Sequence, residues 1–143
     1  MASNHDIRYA GFGLRMWAAL VDLLFFMLVT VPLLYAIHGR EYFRSDISAR
    51  GPVDFLNMFV LPNALILLCW LLCSATPGKM AISAKIVDAE TGKRPSLRQL
   101  LLRLLGCYVS FLLLGLGVLW IAFDRRKQGW HDKLAGTVVV HTK

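Results

Sequence analysis

Charged residues are scarce in this sequence: only 17% of its 143 residues are Asp, Glu, Lys or Arg, whereas 57% are hydrophobic. That proportion excludes an ordinary soluble domain and is typical of a membrane protein. The formal net charge of +7 does not indicate nucleic-acid binding, because no basic helix carries interleaved polar residues that could contact bases. The length allows a single domain, residues 1–143, rather than two.

Cysteine is also scarce, and the three present lie in apolar stretches without a C-x-x-C pair. Neither a disulfide framework nor a zinc site is therefore predicted. Cys69 and Cys73 share a helix face, but free cysteines usually behave as small buried hydrophobic residues. No spacing places a base beside a nucleophile, and the neighbours His131 and Asp132 cannot simply face each other. We expect no enzyme, no metal and no cofactor.

Long apolar stretches are what the sequence does contain. The first, at about residues 14–37, and the second, at about residues 53–75, are each long enough to cross the bilayer as a helix. Pro62 and Asn63 interrupt the second stretch, and we expect the Asn63 amide to bond a freed carbonyl or a neighbouring helix. The polar connection at residues 39–52 has charges that nearly cancel, as expected on the side away from the cytoplasm.

The third apolar stretch, at about residues 97–123, is too short for two crossings, which need about 40 residues. One full crossing would place the basic tail, residues 124–143, outside the cell, against the positive-inside rule. We therefore favour a broken, re-entrant helix bent at residues 115–117, with a third full span as the alternative. Arg98 and Arg103 lie on its first turns, where we expect them to snorkel to the membrane interface.

Two segments outside these stretches are typical of strands. Residues 82–87 alternate apolar and polar side chains, and residues 138–140 are all valine. They could pair on the cytoplasmic side, and a capping box at Ser96 and Gln99 would start the third helix. The predicted fold is an all-α membrane protein: a small helical bundle with two full transmembrane helices, a third broken hydrophobic helix and a short cytoplasmic β-hairpin-like element.

The combination of Arg15 at the start of the first span, Asp22 within it and Asp132 in the tail resembles the RDD family of small membrane proteins, named for one arginine and two aspartates. The sequences of residues 9–12, 76–79 and 124–129 also match motifs that are usual in that family. The resemblance covers nearly the whole chain and assigns these three residues to the name positions. It implies a membrane protein for which transport, and in some members cation/proton antiport, has been proposed.

Asp22 is the foremost candidate, because a charge inside the bilayer costs about 2.5–3.5 kcal/mol on insertion scales. It is either a proton or cation site or a carboxyl that locks helices together. Arg15 leans away from it, so Arg15 is expected to snorkel to lipid phosphates. For Asp132 we favour a helix cap or loop ion pair that folds the tail onto the bundle. The secondary candidates are Asn63, Arg103, Asp124, Arg125 and His131.

Two functions remain open at this point. One is cation/proton exchange at Asp22, tuned by Arg15, which with so few spans would require a homo-oligomer. The other is a non-catalytic accessory or scaffold subunit of a larger membrane transport or quality-control complex. We expect a multi-pass protein of the bacterial inner membrane with both termini cytoplasmic. Basic residues there would contact anionic lipid headgroups: Lys79, Lys93, Arg94, Arg125, Arg126 and Lys127.

Overall fold

The computed structural model describes residues 7–46 and 51–142. Residues 1–6 and 47–50, which include part of the predicted polar connection, lie outside the described residues. The first span is one long helix, α1 (Phe12–His38), whose apolar side chains are mostly exposed, as expected of a helix surrounded by lipid. A one-turn helix, α2 (Glu41–Arg44), follows it.

The second span contains three segments in succession. A short helix α3 (Pro52–Phe55) leads into a π-helix (Leu56–Val60), which continues as α4 (Leu61–Cys73). Within the described ranges, the helices long and apolar enough to cross a membrane are α1 and the 18 residues from the π-helix to the end of α4. Both predicted spans are confirmed.

The third hydrophobic stretch is broken, as predicted. Helix α6 (Leu97–Leu112) and the segment formed by α7 (Leu116–Leu119) and a 3-10 turn (Trp120–Ala122) are bent by 109° relative to each other. The capping box is also confirmed, since Gln99 N donates to Ser96 Oγ and Ser96 N donates to Gln99 Oε1.

The bend lies slightly earlier than predicted, at residues 113–115 instead of 115–117. Leu114 and Gly115 both have positive φ, and the left-handed conformation of Gly115 ends the preceding helical direction. Gly117 has a different role, because a Cβ there would overlap the Ser110 side chain and approach the Trp130 ring. It allows α7 to pack closely against its neighbours.

Pro62 interrupts the hydrogen-bond ladder of the second span, and the π-helix immediately precedes it. The Asn63 amide donates to the carbonyl of Phe59, one turn earlier, at 2.6 Å, and also to the Tyr108 hydroxyl on α6. Both partners expected for Asn63, a backbone carbonyl and a neighbouring helix, are therefore present.

Two strands, β1 (Ala84–Asp88) and β2 (Thr137–His141), form an antiparallel sheet. The predicted pairing of these segments is confirmed. The chain before α1 joins the same sheet, because Ala10 N donates to Val139 O at 3.0 Å and Tyr9 bridges to Val140. The third hydrophobic stretch thus returns the chain to the side of the molecule on which it began.

The buried core lies where the sheet meets the helix ends, and not between the long helices. Its fully buried members come from the N-terminal segment, both strands, α4 and α6: Ala10, Trp70, Ala84, Ile86, Leu100 and Val139. Two strands alone would be marginally stable, so packing onto the helices stabilises the sheet. Two short helices complete this layer, α5 (Pro77–Ala81) before β1 and α8 (Trp130–Ala135) before β2.

Candidate functional site

Three charged residues from distant parts of the chain form a buried ion cluster. Arg15 on α1 donates from Nη1 to Asp132 Oδ2 on α8 at 2.5 Å, and Arg103 on α6 donates from Nη1 to Asp132 Oδ1. Arg103 also donates to the Thr137 hydroxyl at 2.9 Å. The side chain of Asp132 is fully buried, and those of Arg15 and Arg103 are 8% and 2% exposed. We call this set the ion cluster.

This geometry corrects two expectations. Arg15 and Arg103 do not reach outward to the membrane interface; both guanidiniums turn inward to Asp132. The physical reason is that α8 packs against α6 and brings a carboxylate to them, and a buried carboxylate between two guanidiniums satisfies charges that would otherwise be solvated outside. The interpretation of Asp132 as an ion pair that folds the tail onto the bundle agrees with its contacts.

Local structure orients Asp132 before any long-range contact forms. The residue occupies the third position of α8, and its Oδ2 accepts a hydrogen bond from Gly129 N at 3.0 Å, which caps the helix start. Although burial raises the pKa of Asp132, the guanidiniums of Arg103 and Arg15 outweigh it, and the pKa lies well below its usual range. The carboxylate is therefore ionised at neutral pH.

His131 lies beside the cluster but is not one of its charges. Its Nε2 is 3.6 Å from Asp132 Oδ1, and burial lowers the pKa of His131 to about 3. Gly106 on α6 makes room for it, since a Cβ there would lie 2.7 Å from the His131 Cα. The imidazole is neutral at physiological pH, and within the described ranges its Nδ1 has no hydrogen-bond partner.

Asp22 is separate from the ion cluster and binds the turn that follows α4. Its Oδ2 accepts from the Thr76 hydroxyl at 2.5 Å, and its Oδ1 accepts from Gly78 N at 2.7 Å. A Cβ on Gly78 would overlap the carbonyl oxygen of Ala18 and lie 2.9 Å from Asp22 Cγ. Only glycine allows α5 to approach α1 this closely, so this contact joins the first span to the end of the second.

Beside Asp22 a cavity of about 460 Å³ separates α1 from α4 and α6. We call it the cleft. Most of its walls are apolar, with Phe26, Ile66 and Phe111 among the larger side chains. Its polar lining groups come from all three helices and the turn before β1: Asp22, Asn63, Thr76, Lys79 and Tyr108. A cleft with mostly apolar walls and a few convergent polar groups is the usual form of a small-ligand site.

The remaining predicted candidates lie away from this centre. Asp124 makes an ion pair with Lys133 at 2.6 Å and accepts from the backbone of residues 126 and 128, so it organises the turn before α8. Arg125 is exposed on the same turn. Neither side chain is among those lining the cleft.

Sequence reasoning missed the residues that contact the predicted ones. Thr76 and Gly78 were noticed only as part of a matching segment, and Thr137 and Trp70 were not singled out. Trp70 lies under Arg103, whose guanidinium carbon is 5.4 Å from the ring centroid. A threonine before Pro-Gly commonly begins a helical turn, and the first backbone N–H groups of such a turn are free to bind an acceptor. This pattern is the feature of the sequence that could have predicted the contact with Asp22.

Comparison with known proteins shows which family the chain resembles in sequence. The chain is 37% identical over 90 residues to an uncharacterized protein of Rickettsia prowazekii (strain Madrid E), an alignment covering 59% of this chain and 50% of that protein. It is 31% identical over 147 residues to the uncharacterized membrane protein YteJ of Bacillus subtilis (strain 168), covering 94% and 82%. The chain thus matches half of the length of the Rickettsia protein.

No solved structure matches the chain. The model of the RDD family matches residues 9–136, a range that includes Arg15, Asp22 and Asp132. The two aspartates are bound in different ways, one in the ion cluster and one at the turn beside the cleft. The chain belongs to the RDD family of membrane proteins.

Proposed function

We propose that this membrane protein exchanges a monovalent cation for protons, with the Asp22 carboxylate as the shared binding site. The supporting observation is the position of Asp22, a half-buried carboxylate in the middle of a span that lines a cleft between helices. Within the described residues each of its oxygens accepts one hydrogen bond, which leaves lone pairs for a further ligand. A carboxylate within a span is a functional candidate by default.

The polar groups farther along the cleft extend this argument. Asn63 and Tyr108 are hydrogen bonded to each other on α4 and α6, and both line the cleft together with Asp22. Carbonyl, hydroxyl and carboxylate oxygens are the ligands that hard monovalent and divalent cations prefer. The ion cluster would hold the helices in place but takes no part in binding, because its carboxylate is fully buried.

A complete pathway would need more wall than one chain provides. The cleft is partly open, and three hydrophobic elements do not enclose it. We therefore propose a homo-oligomer in the bacterial inner membrane, with the sheet and both termini in the cytoplasm. The excess of Lys and Arg beside the spans supports this orientation.

Proton flux in proteoliposomes tests the proposal. Wild type, Asp22→Asn and the control Glu90→Gln, which removes an exposed charge from the turn after β1, would each be exposed to pulses of Li⁺, Na⁺ and K⁺. We expect cation-driven proton movement in wild type and control and none in Asp22→Asn. Equal flux in all three proteins, or none in wild type with any of these cations, would contradict it.

One observation favours the alternative of an accessory subunit. Much of the apolar surface of α1 beyond the cleft is exposed, including Leu24 and Leu28, which are 64% and 74% exposed. Such a helix face contacts either lipid or another transmembrane helix. Persistent co-purification of one unrelated membrane protein, together with absence of flux, would support the accessory role, whereas a stable homo-oligomer would support exchange.

A further inference from the structure

Five charged side chains lie close together where α1, α5, α6 and α8 meet. Three are cations, Arg15, Lys79 and Arg103, and two are anions, Asp22 and Asp132. The neighbouring histidine adds no charge, because burial lowers its pKa to about 3. The five side chains together therefore carry one positive charge in excess, and a buried group of charges is more stable when its charges are balanced.

Lys79 is the cation of this group that makes neither a hydrogen bond nor a close ion pair within the described residues, although the Asp22 carboxylate acts on it electrostatically. The arginines bind Asp132, and the oxygens of Asp22 are bound by Thr76 and Gly78. The Lys79 side chain is half-buried and lines the cleft, and in the described part of the chain no acceptor lies within hydrogen-bonding distance of its ammonium group. Burial and then the charge of Arg103 lower the pKa of Lys79 to about 8, against the opposing effect of the Asp22 carboxylate.

Several N–H groups near Lys79 also have no hydrogen-bond acceptor within the described residues. The indole N–H of Trp70, on the cleft wall, is buried without a hydrogen-bond partner in the described ranges. The same holds for Nη2 of Arg15 and Nε of Arg103. The two arginines do not line the cleft, but Trp70 does, and because buried donors are nearly always paired its free indole N–H indicates that a hydrogen-bond acceptor belongs in the cleft.

The rest of the cleft is suited to hydrocarbon. Beyond Lys79 its walls include Leu23, Phe26, Ile66 and Phe111, and the cleft is partly open. A free inorganic anion would gain nothing from these apolar walls, whereas an acyl chain attached to an anionic group would bury apolar surface against them.

We propose that the cleft binds one anionic phospholipid, whose phosphate oxygens accept hydrogen bonds from Lys79 and whose acyl chain lies between Phe26 and Ile66. The lipid supplies the balancing negative charge and fills the apolar part of the cleft. This site differs from the exposed basic residues of the surface, because among the lysines of the described residues Lys79 alone lines the cleft. The inference does not depend on cation exchange.

Binding to the purified full chain in detergent tests the site. The probes are dioleoyl phosphatidylglycerol, dioleoylglycerol, which lacks phosphate, and inorganic phosphate, which lacks acyl chains. The readout is the rise in thermal midpoint with probe concentration, together with bound lipid counted by native mass spectrometry. The proteins are wild type, Lys79→Gln and the control Lys85→Gln, which removes an exposed lysine from β1.

We expect phosphatidylglycerol to bind wild type and Lys85→Gln equally and Lys79→Gln at least tenfold more weakly. Dioleoylglycerol and inorganic phosphate should each give much smaller shifts. Inorganic phosphate acting as strongly as the lipid, dioleoylglycerol acting as strongly, or unchanged lipid binding by Lys79→Gln would each overturn the proposal.

Two further variants keep the test decisive if Lys79→Gln does not fold. Lys79→Arg retains the positive charge and should retain lipid binding. Ile66→Trp leaves every charge in place but fills the cleft, and should weaken lipid binding by a similar factor. Full lipid binding by Ile66→Trp would show that the acyl chain lies elsewhere and would overturn the proposed position.

Discussion

Asp132 accepts a hydrogen bond at 2.5 Å from the guanidinium of Arg15, a residue 117 positions earlier in the chain. Through this contact the C-terminal helix fixes the start of the first membrane span, and Arg103 binds the same carboxylate from the third hydrophobic element. Three segments far apart in sequence are therefore held by one buried side chain.

We expect Asp132→Asn to lower the free energy of unfolding by about 3–5 kcal/mol, because it leaves two buried guanidiniums without their counter-charge. An SDS titration followed by tryptophan fluorescence measures this. The matched control is Glu41→Gln, which removes a carboxylate from an exposed pair with Arg44 at 3.9 Å and should change stability by less than about 0.5 kcal/mol. A similar loss of unfolding free energy in both variants would contradict a stabilising role of the ion cluster.

Gly78→Ala should weaken the contact between α5 and α1. The added Cβ would overlap the carbonyl of Ala18, and overpacking of this kind costs about 1–3 kcal/mol. Gly13→Ala is the control, since a Cβ at Gly13 meets no atom within 4 Å, and there alanine should be neutral or stabilising by up to about 1 kcal/mol. Thermal unfolding in detergent distinguishes them, and an unchanged midpoint for Gly78→Ala would contradict the close approach.

Acidification should destabilise the protein through His131. Its pKa is lowered to about 3 in the fold, whereas an unfolded chain binds the proton near pH 6.5. The unfolded state therefore gains protons first, and by linkage stability falls by about 2 kcal/mol between pH 7.5 and 5. Asp132 does not contribute in this window, since its lowered pKa matters only below about pH 4.

The variant His131→Asn should lose this part of the pH dependence, whereas His141→Asn, at the end of β2, should keep it. Unfolding free energies measured at several pH values between 7.5 and 5 give the slopes. A slope in His131→Asn equal to that of wild type would assign the effect to other groups.

The hydrogen bonds between the N-terminal segment and β2 predict that both ends of the chain lie on one side of the membrane. With the native cysteines replaced by alanine, a membrane-impermeant maleimide added to intact cells should label Arg40→Cys. It should label Thr142→Cys only after permeabilisation. Labelling of both in intact cells would rule out the return of the third hydrophobic element.

Local patterns predicted much of the fold. Apolar length identified the two spans, and the capping box located the start of α6. Alternation identified the first strand, and a run of three valines identified the second. Each of these features depends on residues within a few positions of one another. The bend was displaced to residues 113–115 because Leu114 tolerates a positive φ next to Gly115, which its side chain did not suggest.

The site was harder to predict, because its contacts join residues far apart. Helical spacing shows that Arg15 and Asp22 share a helix face. It does not show that Asp132 on α8 binds Arg15, or that Thr76 in the turn after α4 binds Asp22. The sequence around Arg103 predicts a position at the membrane interface, and only the structure shows its buried ion pair with Asp132. Side chains at membrane depth are predicted poorly when their partners come from another element.

The separation between Arg15 and Asp132 also has a consequence for biosynthesis. At about 5–20 residues per second, the ribosome makes Asp132 roughly 6–23 seconds after Arg15. During that interval the first helix enters the membrane while Arg15 has no counter-ion. Arg103 is then synthesised, and it also lacks a counter-ion until Asp132 is made. A nascent chain that stops before Asp132 leaves both arginines without their counter-ion, so the synthesis of α8 decides whether these buried charges are neutralised.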